Sequence, residues 1–138
     1  MDPDPHPARL ASRRSMAAVE AGDRDAWLAL YSPDAVIEDP IGPSMFDESG
    51  EGHRGTEAIA AFYDTVIAPN AVHFEIDRSY ACGSEVANVG RVVTTLLDGS
   101  RAIVNGVFTY RVDADGLIVA LRAYWEVDAI TIEPPTAG

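Results

Sequence analysis

Ala35-Val36-Ile37-Glu38-Asp39-Pro40-Ile41-Gly42 sets two adjacent acids into an apolar alternation that runs into a Pro/Gly turn, and it reads as a short strand. Successive side chains of a strand point to opposite faces, so one of the two acids faces water and the other the interior. An inward Asp39 loses hydration of its charged form, which raises its pKa and suits it to act as a general base near neutrality. Such a base in an apolar pocket fits proton abstraction next to a carbonyl. A solvated acid at a strand end is the alternative that the pattern leaves open.

Upstream of this strand the chain is helical. Pro7 opens a helix that runs to Gly22, rich in Ala and Leu. Asp23 has the chemistry to cap a second, shorter helix, Arg24 to Tyr31, with Trp27, Leu28, Leu30 and Tyr31 at helical spacing, closed by Ser32-Pro33-Asp34. Downstream, residues 40–55 form a long Pro- and Gly-rich loop placed to act as a lid. Thr56 to Ile67 is the third helix, its face carrying Ile59, Phe62, Tyr63 and Val66. Beyond Asn70 the period changes to two. Val72, Phe74, Ile76 and Tyr80 form one face of a strand, and His73, Glu75, Asp77 and Ser79 the wet one. Three more strands follow, Glu85 to Leu97, Arg101 to Asp113 and Leu117 to Val127, with turns at Asp98-Gly99 and Asp115-Gly116. The expectation is a single domain over residues 1–138, with loose tails at 1–7 and 128–138. Its class is α+β: a cone-shaped, curved antiparallel sheet packed on three helices, with one apolar mouth.

Ten basic against twenty-two acidic residues give a net charge of −12, which disfavours nucleic acid and anionic membrane as partners. A neutral hydrophobic small molecule fits this charge better. Cys82 is the single cysteine, so an intramolecular disulfide and a four-cysteine zinc site are excluded. Without a signal-like start or an apolar run of spanning length, the expected home is the cytoplasm. Asp47, Glu48, Glu51 and His53 have neither EF-hand nor zinc-helix spacing, and they read as a solvated acidic loop. No metal is expected.

Ala21-Gly22-Asp23, Glu38-Asp39-Pro40-Ile41-Gly42, Gly55-Thr56-Glu57-Ala58-Ile59-Ala60-Ala61-Phe62-Tyr63 and Ala123-Tyr124-Trp125, in this order, resemble bacterial ketosteroid isomerases of the nuclear-transport-factor-2-like, SnoaL-like superfamily. The likeness runs from about Arg13 to Glu126. It implies the corresponding cone or α+β barrel and a cofactor-free shift of a double bond in a 3-keto-Δ5 steroid or a similar polycyclic ketone. In that reaction a carboxylate carries a proton from carbon 4 to carbon 6 while two donors hold the dienolate oxygen. The resemblance also implies a homodimer formed through the convex outside of the sheet.

Residue by residue, the resemblance puts the base on Asp39. The tyrosine donor, eight residues before the Asp of the Gly-Asp pair, falls on Ser15, and the acidic donor, seventeen before the Trp of Ala-Tyr-Trp, falls on Phe108. Serine is too short to reach as far, and phenylalanine donates nothing. Because an oxyanion donor is worth ~3 kcal/mol, losing both implies either a rebuilt oxyanion site or a steroid-binding protein without isomerase activity. Tyr63 and Tyr31 match supporting tyrosines that are placed to reach an enolate directly or through Ser15. Phe108 and Trp125 line an apolar slot. Asn105 supplies an amide donor if the strand register shifts, although the alternation of Val104, Phe108, Tyr110 and Val112 puts it on the other face.

Histidines provide a further check, since related folds use His/Asp pairs for dehydration. His73 falls on a wet face, and His53 lies in the loop, where it could swing over the mouth. A hydrolase or dehydratase on the same fold is the third reading, and it requires Arg91 or Arg122 to face Asp39.

Overall fold

The computed structural model describes residues 6–135. The elements in chain order are α1 (Pro7–Ala21), α2 (Arg24–Leu28), β1 (Tyr31–Glu38), β2 (His53–Arg54), α3 (Thr56–Phe62), β3 (Ala71–Cys82), β4 (Glu85–Thr95), β5 (Arg101–Val112), β6 (Ile118–Tyr124) and β7 (Thr131–Glu133). Their strands form one seven-stranded sheet in the order β2-β1-β6-β5-β4-β3, with β7 added on β5. The curved sheet on three helices expected from the sequence is present, with every pairing antiparallel except β1 with β6.

Helix α1 starts where Pro7 supplies a fixed φ and the His6 ring accepts from the Ala8 N–H at 3.2 Å. It ends at Gly22, whose φ of 68° closes the turn onto the Ala18 and Val19 carbonyls. Its buried residues, Ala8, Ala11, Ser12, Ser15, Met16, Ala18 and Val19, recur at helical spacing, and the helix lies against the sheet. Two serines sit in that stripe, which is how Ser15 comes to face the core. Asp23 caps α2 through the Ala26 N–H at 3.1 Å, as its chemistry predicted. That helix stops before Tyr31, which is instead the first residue of β1. The third helix reaches Ile67, but Tyr63–Ile67 widens into a π turn in which the Ala68 N–H bonds the Tyr63 carbonyl.

The sheet bends where backbones approach most closely. Gly90 lies opposite both Ile76 and Gly106, and a Cβ on it would come within 2.2 Å of the Glu75 carbonyl oxygen. Gly90→Ala is therefore expected to lose about 1–3 kcal/mol or more, measurable by denaturant unfolding. At the same place β3 carries a bulge between Ile76 and Arg78. One extra residue inverts the alternation beyond it. Val72, Phe74 and Ile76 pack toward the core, but Tyr80 turns outward at 58% exposure, and Ser79 takes the inner position, accepting from Arg9 Nε at 3.0 Å. The expected grouping of Tyr80 with the apolar face is thus corrected.

Both tail assignments change too. His6 is anchored to the Gly83 carbonyl at 3.0 Å, and Thr131–Glu133 adds a strand to β5 that is tied by an Arg101–Glu133 ion pair. Residues 1–5 and 136–138 lie outside the described residues. Among the described residues, no helix is long and apolar enough to cross a membrane.

Candidate active site

The alternation around Asp39 resolves as the strand rule requires. Glu38 lies opposite Arg122 on the outer face and pairs with its Nε at 3.0 Å. Ile37, fully buried, lies opposite Leu121 on the inner face, and Asp39, two residues on, returns to that face. There its Oδ1 accepts from the Trp125 indole N–H at 2.8 Å. Burial pushes the Asp39 carboxyl above its ordinary range, against the weaker opposing pull of the Trp125 hydrogen bond and of His53. Trp125→Phe removes the donor that favours the charged form, so the acid limb of any activity dependent on Asp39 should move to higher pH, as a pH-rate profile would show.

A second cluster lies on the same inner face. Ser15 Oγ is 3.0 Å from the Tyr31 hydroxyl and accepts from the Trp27 indole N–H at 3.1 Å. Tyr110, in β5 opposite Leu121 and Val86, lies beside this cluster on the inner face, near enough for Ser15 to act on its phenol. Burial raises the Tyr110 phenol, and the negative charge of Asp39 raises it further, while the hydrogen bond with Ser15 opposes the rise. Burial likewise raises the Tyr31 phenol well above the usual range, helped by Tyr110 and Asp39 and opposed by Ser15 and Trp27. Both phenols therefore stay protonated and remain donors. Asp39 lies near enough to both phenols for its charge to raise each of them.

The other expected residues separate. Phe108, 4% exposed, is an apolar wall on the inner face. Tyr63 is buried, yet it meets the cluster through its ring, 5.2 Å from that of Trp27, and the partners of Ser15 are Tyr31 and Trp27. This corrects its expected place in the hydroxyl network. Asn105 is exposed and borders an open groove of about 570 Å³ with Ile41, Tyr124, Trp125 and Ala129, so the register shift that would bring it inside does not occur. Arg91 and Arg122 pair with Glu75 and Glu38 on the outer face and do not face Asp39. The acidic loop is organised by Asp47, whose carboxylate accepts from the Gly50 and Gly52 N–H groups and the Ser49 hydroxyl. Sequence reasoning missed Tyr110 and the Trp27 indole as site members. The signal for Tyr110 was its place two residues from Phe108 on one face. Nothing local marked the Trp27 N–H.

Residues 12–121 match the SnoaL-like domain, in keeping with the curved sheet wrapped over helices. The chain belongs to this SnoaL-like, nuclear-transport-factor-2-like family. It is 32% identical over 126 residues to a steroid Delta-isomerase of Nocardioides simplex, spanning 91% of this chain and 95% of that protein. The structure of a Delta 5-3-ketosteroid isomerase from Mycobacterium sp. matches with a TM-score of 0.88 at 45% identity, covering 91% of this chain and 98% of that one. A Mycobacterium tuberculosis protein solved in complex with estradiol-17beta-hemisuccinate matches with a TM-score of 0.87 at 42% identity, over 91% and 98% of the two chains.

Proposed function

We propose that this protein is a cofactor-free isomerase of 3-keto-Δ5 steroids or similar neutral polycyclic ketones, with Asp39 as the proton shuttle. The observation that carries this reading is the half-buried Asp39 carboxyl, raised in pKa by desolvation and held at Oδ1, whose charge reaches the buried phenols of Tyr31 and Tyr110. Asp39 takes a proton from carbon 4, and the electron pair of that C–H bond passes through the carbonyl to oxygen. Tyr31, held by Ser15, and Tyr110 are the donors for the resulting oxyanion, in place of the two donors replaced by Ser15 and Phe108. Asp39 then returns the proton at carbon 6, leaving the conjugated enone. No net proton is gained or lost. Likeness to steroid isomerases across most of the chain supports the same chemistry.

A second reading is a steroid carrier without turnover, favoured by Phe108 standing where a donor is expected. Adding 5-androstene-3,17-dione and following the ultraviolet band of the conjugated enone tests the two readings. Growth of that band supports the enzyme. Steroid binding without it supports the carrier. Self-association through the outer face of the sheet belongs to the same reading, and exposed Tyr124 offers apolar surface for it.

A further inference from the structure

His53 carries a buried polar atom that the scheme above does not use. It lies in β2 directly opposite Ile37, so its side chain shares the inner face with Ile37 and, two residues further on, Asp39. A single row of residues crosses the sheet there: His53, Ile37, Leu121, Tyr110 and Val86. The imidazole packs on the Phe62 ring with centroids 4.8 Å apart, and it lies near enough to Asp39 and Asp47 to bear on the pKa of both carboxyls. Among the described residues its Nε2 is a side-chain nitrogen closed off from solvent with no hydrogen-bond partner. Buried polar atoms are paired almost without exception, because an unpaired one forfeits its hydration for nothing in return. Asp39, the neighbouring group, is likewise covered, in its case by the Trp125 indole.

We propose that His53 Nε2 is an unfilled hydrogen-bond position of the ligand site. A ligand seated beside Asp39 brings an oxygen that gives this nitrogen its partner, and side chains packed around the imidazole, Phe62 first, yield to admit it. The ligand must then carry a hydroxyl or carbonyl close to the carbon that Asp39 deprotonates. Free protein bears the cost of the orphaned nitrogen, and binding relieves it. This inference rests on the steroid-ketone reading of the site and deepens it.

The test uses estradiol as probe with the wild type, His53→Phe and His53→Gln. The expected results are a shift of the His53 Nε2 nitrogen resonance when estradiol is added, and roughly tenfold weaker binding by His53→Phe. The same substitution should leave thermal stability of the free protein unchanged or raised, since it removes an unsatisfied polar atom. His53→Gln, which keeps a donor and an acceptor, should recover part of the affinity and covers the case in which Phe does not fit. A nitrogen resonance that stays put, with equal affinity in all three proteins, overturns the inference and leaves the function untouched. Failure of the wild type to bind either estradiol or 5-androstene-3,17-dione sinks the steroid reading itself, and this inference with it.

Discussion

Asp39→Asn lowers turnover of 5-androstene-3,17-dione by about 10²–10⁴-fold while steroid binding is retained, because the amide fills the same space but accepts no proton. Enone formation measured beside a binding titration checks both halves. Unchanged turnover would remove Asp39 from the mechanism. The same carboxyl sets the pH dependence. Its raised pKa means that activity should grow with pH through a limb lying above the usual carboxylate range, since only the ionised form is a base. Stability runs the other way. Between the unfolded carboxyl's ordinary pKa and the raised native one, the native state holds the extra proton, so stability falls as pH rises through that window and the loss persists above it. Asp39→Asn abolishes this penalty. Its thermal midpoint should therefore gain on the wild type at neutral pH, and the gain should vanish below the ordinary carboxylate pKa.

Removing the hydroxyl of Tyr31 or Tyr110 should each cost about 10²–10³-fold in kcat, the worth of one donor aimed at a developing oxyanion. KM should move little, because the bond strengthens most when charge reaches the oxygen. The two phenols interact, Tyr110 raising the pKa of Tyr31, so the double variant should fall short of the product of the single effects. Tyr63→Phe serves as the contrast. Its ring contact with Trp27 survives the change, and kcat should stay near that of the wild type. A large loss on Tyr63→Phe with none on Tyr110→Phe would reverse the assignment of donors.

Local patterns carried much of the fold. Pro7, Gly22 and Asp23 marked helix ends because capping is a matter of a few neighbouring atoms, and the hairpin turns followed from Asp-Gly pairs. The alternation of Glu38 and Asp39 was legible for the same reason, and the structure puts Glu38 on Arg122 outside and Asp39 on Trp125 inside. Tyr80 was not legible, since a bulge at a close approach of backbones inverted the faces of its strand. Neither was the strand at Thr131–Glu133, which is held by partners some thirty residues away in β5.

Sequence alone marked Asp39 as the candidate base and showed Ser15 and Phe108 where the two expected oxyanion donors would stand, because these depend on residue type and on a period of two. Only tertiary structure decided what surrounds that base. Ser15 comes from a helix packed on the sheet and bonds Tyr31 in β1, while cross-strand register sets His53 and Tyr110 in one row across the sheet. Register is a long-range property, fixed by bulges and pairings that no single segment encodes.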